Sequence, residues 1–512
     1  MRTNGSLQLY PLLRIALMLA MGIVVGYECR ETVAVWPWMV MMLAAVVLAV
    51  VTRHHDIAQG VALYLVSFAI GATLIARQCQ WLERPLALGE TAYSAVVASH
   101  PQKRGKVLRM DLWIVDGEMA GHRVKASLLR DTVNGVTPSL SIGDGIKAVS
   151  VLQRPENYYA SNFSYPLYLR CKGFTSTTLI LPGAWSRAKV SLTSLSYIDR
   201  TVLAAMKFRQ ATMSRYLSLG LDDEKMSVAV AMAMGDRSRL TNDLRDIYSV
   251  SGASHVLALS GLHLGIIYVL LSLMLGFRRL GALRELLIIT GIWSYAVFTG
   301  LSSSVVRASV MITIYSFTTI LQRQRMSLNA LSLTAIIMLM VNPICLYDVG
   351  FQMSFLAVGA ILVFYKPVYG LVSSEFLFAH PVARWLWAMV VVSCAAQLGV
   401  APLTAYYFGR LPVYFLLTNF IVIPLATMIL YVTAAMFVSS LFPPLLPYVA
   451  SLLALLAGWQ TSMVRWVSSL PGSSIENIRI NRLQLLMVYV VIIALSVMAY
   501  KVLRMKNLLR GR

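Results

Sequence analysis

The sequence predicts a polytopic α-helical membrane protein with an inserted extracytoplasmic OB-like β-barrel domain. Of its 512 residues, 58% are hydrophobic and only 13% are charged, which excludes an ordinary soluble globular protein. Residues 81–200 depart from this composition, because charges recur every few residues between turn signals such as Asp116-Gly117 and Asn134-Gly135. We therefore expect a water-exposed domain between two membrane blocks.

The net charge of the chain indicates the kind of partner that it binds, and its cysteines bear on disulfide and metal sites. The chain carries 44 Lys and Arg against 22 Asp and Glu, a net charge of +22, which favours a polyanion such as nucleic acid or anionic membrane lipid. The five cysteines form no CxxC pair and no metal-ligand spacing, so a disulfide scaffold is excluded and no metal site is expected. No GxxxxGK[ST] loop is present to bind a nucleotide, and we expect no cofactor.

The N-terminal block, residues 1–80, contains three apolar runs at 12–27, 33–51 and 60–76. Each is close to the roughly 20 residues that a helix needs to cross hydrocarbon. The first run follows a basic start, as a signal peptide does, but the two runs after it indicate a retained helix. Arg2, Arg14 and Arg53 place the N-terminus in the cytoplasm by the positive-inside tendency, so residue 80 onward is expected outside.

The sequence of the insert predicts short β-strands. Apolar and polar residues alternate along 106–115 and again along 123–128, which is the period of a half-buried strand. Strands separated by Gly-rich turns favour a small barrel over a βαβ unit, and the OB-like barrel is the version we predict. Cys79 and Cys171 both fall on this exported side, where an oxidising compartment would allow them to pair.

Basic and aromatic residues in the insert suggest a surface for single-stranded nucleic acid, through phosphate attraction and base stacking. The alternative is that they are solvated strand faces and core aromatics. Tyr158, Tyr159, Phe163 and Tyr165 supply further flat rings nearby. The candidate contacts are Lys103, Arg104, Lys106, Arg109, Trp113, Arg123, Lys125 and Arg130.

The rest of the chain is a second membrane block. Residues 201–250 mix apolar and basic residues and are expected to form an amphipathic or interfacial helical segment. Apolar runs then recur through 251–503, the predicted channel domain, and 504–512 is a basic tail expected in the cytoplasm, where it can meet anionic lipid. The runs 286–300 and 328–341 are short, and such interruptions occur at membrane depth where protein or a wet cavity satisfies the backbone.

The segment 251–265, SGASHVLALSGLHLG, combines small and polar residues. On one continuous helix, Ser254, Ala258, Gly261 and Gly265 would form a stripe for close helix packing. His255, Ser260 and His263 would then point elsewhere, either to bond neighbouring helices or to line a hydrated path. The two histidines lie about 80° apart around a helix, too far to share one metal ion. A Ser/His hydrolase is disfavoured because the segment has no carboxylate.

Four more polar side chains are candidates for the path. Arg307 either contacts a phosphate, pairs with Asp348 or reaches an interface, since an unpaired Arg is costly at membrane depth. Asp348 is expected to be a structural counter-ion, because a carboxylate repels a phosphate strand. Gly350 and Ser354 form a second predicted packing stripe. The neutral candidates, which could touch a strand or make interhelical hydrogen bonds, are Gln352, Gln397 and Asn419.

The motifs, taken in order, resemble the ComEC family of DNA-uptake channel proteins. The 251–265 segment is similar to that family's SGxSHxLAxSGLHxG run, and the NFSYPLYLR segment at 162–170 is similar to the end of its exported OB domain, with Tyr165-Pro166 departing from the pattern. Further motifs, in the order expected of this family, are Met234-Gly-Asp-Arg-Ser238, Ser302-Ser-Ser-Val-Val-Arg-Ala308, Asn342-Pro343, Asp348-Val-Gly-Phe-Gln-Met-Ser-Phe355, Ala395-Ala-Gln-Leu-Gly-Val-Ala-Pro402, Tyr406-Tyr-Phe-Gly409, Thr418-Asn419 and Pro424.

The resemblance implies an inner-membrane channel, not an enzyme, that passes single-stranded transforming DNA into the cytoplasm. It also implies a cytoplasmic helicase-like ATPase and a periplasmic DNA receptor as partners. The seven histidines contain no HxHxDH, so this is expected to be a form without the metallo-β-lactamase-like domain, and strand degradation would fall to a separate nuclease. Two rivals remain open: a secondary transporter of a small anionic or lipid-linked substrate, and a membrane-tethered module in which only the barrel acts.

Overall fold

The computed structural model describes residues 10–86, 89–130, 139–157, 163–217, 223–276, 281–320 and 327–510. Within these ranges, six helices are long and apolar enough to cross a membrane, and four shorter apolar helices accompany them. A barrel of short strands interrupts the helices, which confirms the prediction of a polytopic membrane protein with an inserted β-barrel domain. The chain divides into two compact units: unit 1 holds residues 1–215 and 275–351, and unit 2 holds residues 216–274 and 352–512.

Unit 1 begins with three helices, α1 (Pro11–Glu28), α2 (Val35–Val51) and α3 (Asp56–Leu82). Glycines let α1 and α3 approach closely: a Cβ at Gly22 would collide with the Phe68 backbone, and one at Gly71 would collide with the Leu19 backbone. Such contacts between small residues are the usual packing of membrane helices. The sequence reasoning assigned the small-residue stripes elsewhere and missed this pair.

The barrel occupies residues 90–187. Its strands are β1 (Glu90–Val97), β2 (Gln102–Arg104), β3 (Val107–Asp116), β4 (Arg123–Leu129), β5 (Gly145–Gln153), β6 (Phe174–Ile180) and β7 (Trp185–Arg187). Five of them close in the order β1-β3-β4-β6-β5, with β5 pairing back onto β1 and β6 parallel to β4. The short β2 pairs with β3, and the short β7 pairs with β5, both antiparallel. Closure in this order leaves no free edge on the five-stranded core.

The predicted alternation fills the barrel interior. Leu108, Met110, Leu112 and Ile114 of β3 are buried together with alternate residues of β4, as the period-2 pattern requires. A second, smaller cluster lies on the other face of β3 around Trp113 and includes residues of α5 (Tyr197–Leu217). The barrel is therefore covered on part of its outside as well as filled within.

The remaining helices of unit 1 lie between two barrel strands or after the barrel in the sequence. α4 (Tyr165–Cys171) lies between β5 and β6. After the chain returns from unit 2 come α10 (Gly281–Phe298), α11 (Ser303–Ile320), α12 (Ser327–Val341) and a 3-10 turn (Pro343–Tyr347). Gly300 and Leu301 between α10 and α11 both have positive φ, of 83° and 51°, so the predicted interruption at Gly300 is a left-handed break.

Unit 2 starts with α6 (Asp223–Met234), α7 (Asn242–Val250), α8 (Ser254–Leu257) and α9 (Gly261–Met274). Residues 226–234 of α6 are all buried, which differs from the interfacial segment that we expected here. Alternating small residues and methionines let this helix pack on all sides. The interfacial segment was predicted from the charged residues that flank it. The later elements are α13 (Val349–Tyr369, from residue 352 in this unit), α14 (Ser374–Ala379), α15 (Pro381–Phe408), β8 (Leu411–Pro412), α16 (Phe415–Ser439), α17 (Leu446–Ser469), β9 (Ser474–Ile475) and α18 (Arg482–Arg510).

Candidate nucleic-acid interface

One end of the barrel carries a cluster of exposed cations. The β2–β3 hairpin turns at Gly105, whose φ of 57° suits glycine, and pairs Gln102 with Arg109. Arg130, at the end of β4, donates a hydrogen bond to the Gly105 carbonyl and so joins this end. We call the four exposed side chains of the hairpin the basic tip: Lys103, Arg104, Lys106 and Arg109.

The basic tip has no counter-charge in the described part of the chain. None of its four side chains is in an ion pair with a described carboxylate, although the barrel makes such pairs elsewhere. Four like charges on one short hairpin repel each other and attract a polyanion. Of the eight predicted contacts, these four are free to meet a phosphate backbone.

Three of the predicted contacts are committed within the protein. Lys125 forms an ion pair with Asp111, with Nζ 2.5 Å from Oδ1. Arg123 pairs with Asp199 at 2.7 Å, and its guanidinium lies 4.8 Å from the centre of the Trp113 ring. Trp113 is only 6% exposed. A base cannot stack on a covered ring, so Trp113 is corrected from a contact residue to a core residue.

The aromatic residues that follow β5 gather on α4. Phe163 and Tyr165 have ring centres 5.4 and 6.4 Å from that of Tyr168. Lys172 lies 4.4 Å over the Tyr168 ring and bonds its hydroxyl. This half-buried patch is the aromatic surface that the described residues provide, since Tyr158 and Tyr159 lie outside them.

The predicted pairing of Cys79 with Cys171 is not formed. Both thiols are free in the structure. The Cys171 thiol donates instead to the backbone carbonyl of Ile344, at 3.3 Å, and Cys79 is buried near the end of α3. The sequence placed the two cysteines on the same side but contained no information on the direction of either side chain.

Arg307 lies inside unit 1 and is 3% exposed. Its Nη1 donates to the Ser303 hydroxyl at 3.0 Å and lies 4.0 Å from Asp348 Oδ2. The same carboxylate oxygen accepts the Phe351 backbone N–H at 3.1 Å. Of the three alternatives for Arg307, this geometry is the ion pair with Asp348. The carboxylate is the counter-ion that a buried guanidinium needs. A Cβ on Gly350 would meet Asp348 itself, so that glycine leaves room for the carboxylate.

The predicted continuous helix through 251–265 is interrupted. α8 has four residues, and Ala258 after it is extended, with φ −89° and ψ 133°. Ser254 and Gly261 are exposed, and nothing lies within 4 Å of a Cβ built on Gly265. The small-residue stripe is therefore not a packing face. Ser354, in the second predicted stripe, is half-buried on α13.

The interruption is produced by a new helix start at Ser260. The ring of His263 turns back on it, with Nδ1 2.9 Å from the Ser260 hydroxyl and 3.3 Å from its backbone nitrogen. This is the geometry of a capping box, with His263 in the place that Glu or Gln takes. His255 is exposed and its Nδ1 donates to the Gly252 carbonyl at 3.0 Å.

A second motif meets this interruption. The loop after α6 carries Arg237, whose Nε donates to the Leu257 carbonyl at the end of α8, at 3.1 Å. Gly235, with φ of 75°, brings the loop against Leu259. The groups that interact electrostatically with His263 are His255 and Arg237. We call Arg237, His255, Ser260 and His263 the helix-break cluster.

The helix-break cluster lies in the region that a protein-family model recognises. A family described as competence protein matches residues 232–502, just over half of the chain. The chain belongs to the competence protein family. The resemblance found in its motifs is thereby confirmed, and the protein is a membrane protein.

Three relatives of this competence protein are informative. ComE operon protein 3 of Bacillus subtilis is 25% identical over 75% of this chain and 46% of its own length. Recombination protein 2 of Haemophilus influenzae is 25% identical over 39% of this chain and 27% of its own length. An uncharacterised protein of Aquifex aeolicus is 29% identical over 41% of this chain and 47% of its own length. The chain thus spans less than half of each relative, and no solved structure matches it.

The neutral candidates of the competence region make bonds between helices. Gln352 of α13 accepts a hydrogen bond from the Tyr407 hydroxyl of α15 at 3.0 Å. Asn419 of α16 donates to Ser393 of α15 at 3.2 Å. Gln397 is half-buried on α15. The first two contacts correspond to the ordinary interhelical role.

Sequence reasoning missed Arg237 as a site residue. It lies in the Met234–Ser238 motif, which was noted for its order in the chain, and 20 residues separate it from the carbonyl that it bonds. The available signal was that this Arg belongs to a family motif that directly follows the apolar helix α6 and precedes the polar helix α7. Its partner in the fold was invisible because it requires the loop to fold back on α8.

Proposed function

We propose that the protein is an inner-membrane channel component that passes single-stranded transforming DNA into the cytoplasm during natural competence. The observation that carries this proposal is the family match over residues 232–502. The barrel is proposed to lie on the extracytoplasmic side, with both termini in the cytoplasm. This orientation brings the basic tip to the side from which DNA arrives.

The exposed charge supports a nucleic-acid ligand. A single strand carries one phosphate per nucleotide, and each phosphate neutralised by Lys or Arg releases counter-ions, so binding weakens as salt rises. The basic tip supplies four such cations and the half-buried α4 patch supplies rings for stacking. Lys125 and Arg123 are excluded from this count because carboxylates already hold them.

The remaining machinery is proposed to be supplied by other proteins. A periplasmic receptor would deliver the DNA, a helicase-like ATPase would pull the strand inward, and a separate nuclease would remove the other strand. The proposed role of this chain is passive: it offers charge and stacking surfaces, and no catalytic step is assigned to it. Anionic membrane lipid is the second polyanion that its positive charge would contact.

The proposal is tested by deletion of the gene. Fluorescently labelled double-stranded DNA is offered to competent cells, and the label inside the cytoplasm is counted together with transformants. Cells without the protein should bind and take up DNA across the outer envelope but hold it outside the inner membrane. A plasmid copy should restore entry. Normal entry in the deletion strain would reject the proposal and leave the small-anion transporter as the reading to pursue.

A further inference from the structure

One outer face of the barrel carries exposed aliphatic side chains. They are Val149 and Val151 of β5, Leu179 of β6 and Leu181 directly after it, and between 39% and 53% of each residue is exposed. We call these four the aliphatic face. We infer that the aliphatic face binds the unpaired bases of a DNA strand whose phosphates lie on the basic tip, so that the barrel selects single-stranded over duplex DNA. The ligand is that of the proposed function, on which this inference rests.

The centre of the aliphatic face is a cross-strand pair. β5 and β6 are antiparallel, and Leu152 of β5 lies opposite Thr178 of β6. One step along this ladder, Val151 therefore lies beside Leu179, with both side chains on the outside of the barrel. The Thr178 hydroxyl donates to the Val151 carbonyl at 2.9 Å, which holds the two strands in this register.

Val149 and Leu181 extend this pair along the strands. The backbone N–H of Val149 donates to the Ala184 carbonyl at 2.9 Å, and the Ala184 N–H donates to the Leu181 carbonyl at 3.2 Å, so one turn joins the two positions. The exposed residues of β5 alternate with residues that fill the barrel interior. Single exposed aliphatic residues are ordinary, but a contiguous group of four indicates an interaction surface.

The strand register connects the aliphatic face to the basic tip. Leu179 lies opposite Ser127 of β4, and Ser127 lies opposite Arg109 of β3. Arg109 and Leu179 therefore belong to one row across three strands, with their backbones about 10 Å apart. Cations and apolar side chains follow one another on a single surface. This continuity indicates a ligand that carries negative charge and apolar parts side by side, as a single strand of nucleic acid does.

Charged side chains flank the aliphatic face. Glu90 of β1 lies opposite Val151 and is exposed. Lys147 lies two residues before Val149 and is exposed on the same side of β5. Because these two charges are opposite in sign, the net positive charge that attracts phosphates comes from the basic tip. We therefore expect the phosphates of a bound strand on the tip and its bases on the aliphatic face.

The tip and the face together distinguish a single strand from a duplex. Phosphates are present in both forms, so attraction to the basic tip does not select between them. In a duplex the bases are stacked inside the helix and present only their edges in the grooves. In a single strand the flat faces of the bases are open, and covering them with aliphatic side chains removes apolar surface from water. The aliphatic face therefore adds affinity for the single strand alone.

The first test compares two probes on the full chain in lipid nanodiscs: a fluorescent single-stranded 30-mer oligonucleotide and the duplex of the same sequence. The double variant Val151→Ser, Leu179→Ser should bind the single strand about tenfold more weakly and the duplex as wild type does. Its slope of log affinity against log salt should not change, because no phosphate contact is lost.

Ile198→Ser is the matched control for this test. Ile198 is a 67% exposed aliphatic residue of the same unit that lies outside the aliphatic face, so its substitution should leave both affinities unchanged. Equal weakening of the two probes by the double variant, or an unchanged affinity for the single strand, would overturn the inference.

The second test looks for a gain of binding, which a loss of folding cannot produce. Val151→Phe keeps a residue that favours strands at an exposed position and adds a flat ring on which a base can stack. The affinity for the single strand should rise about fivefold, the lower end of the range for base stacking, while the affinity for the duplex stays the same. A single-strand affinity no higher than that of wild type would contradict contact between bases and this face.

The third test identifies what covers the aliphatic face in cell membranes. Leu181 is replaced by the photo-crosslinking residue p-benzoylphenylalanine, and the membranes are illuminated with labelled single-stranded DNA present. We expect a crosslink to the DNA that an excess of unlabelled single strand removes and an excess of duplex does not. A crosslink to lipid, to a second copy of the chain or to another protein, with none to DNA, would assign the face to that occupant and reject the inference.

The two proposals fail in different ways. If deletion of the gene blocks DNA entry but the variants of the aliphatic face bind single strand and duplex as wild type does, the role of the face is wrong and the channel function stands. If the deletion strain imports DNA normally, the channel function is wrong. Selective binding of the single strand by the barrel in that case would not rescue it.

Discussion

Neutralising the basic tip should remove most of the salt dependence of DNA binding by the barrel. The change is the fourfold substitution of Lys103, Arg104, Lys106 and Arg109 by Gln. All four side chains are exposed, so the free energy of unfolding should change little. Four lost phosphate contacts lower the slope of log affinity against log salt by about 2.8, taking about 0.7 for each contact with a single strand.

This slope has a directly measurable consequence. Between 50 and 200 mM salt, the affinity of the wild-type chain for a single-stranded oligonucleotide should fall about 50-fold more than that of the fourfold variant. The assay is fluorescence anisotropy with the full chain in nanodiscs. Lys125→Gln is the control, because Lys125 is held by Asp111 and should contribute little to the slope. A fourfold variant with the wild-type slope, or a control with the larger effect, would refute the assignment of the tip.

Three further predictions concern stability. Gly71→Val should disrupt the packing of α1 on α3 and lower the melting temperature in detergent, whereas Gly60→Val, with nothing within 4 Å of a Cβ, should not; equal melting temperatures would contradict the packing role. Asp348→Asn should cost about 3 to 5 kcal/mol by leaving the Arg307 guanidinium buried without its carboxylate, and should cost less in a chain that already carries Arg307→Met, as a double-mutant cycle of thermal unfolding can measure. Burial lowers the pKa of His122 in the barrel below its ordinary value of 6.5, so the unfolded state binds more protons as pH falls below that value. Barrel stability should therefore be constant above neutral pH and fall from about pH 6.5 downward, and His122→Gln should flatten the profile measured by urea unfolding.

Composition and periodicity determined the class of this protein. In a membrane, a long apolar run satisfies its backbone hydrogen bonds by forming a helix. Alternation of apolar and polar residues with a period of two in a charged insert predicts half-buried strands. The buried set Leu108, Met110, Leu112 and Ile114 follows directly from that alternation. Motif order likewise indicated the family, because it depends on residue identity and not on contacts. These properties are local along the chain, so the sequence carries them in full.

Tertiary structure alone decided which candidate residues are available to a ligand. Trp113 and Lys103 look equally suitable in sequence, yet one ring is covered by α5 while the other side chain is exposed. Arg237 meets the α8–α9 interruption only because its loop folds back to the Leu257 carbonyl. Burial, ion pairing and a broken helix all depend on partners distant in the chain, and no local pattern specifies which partner a side chain will find.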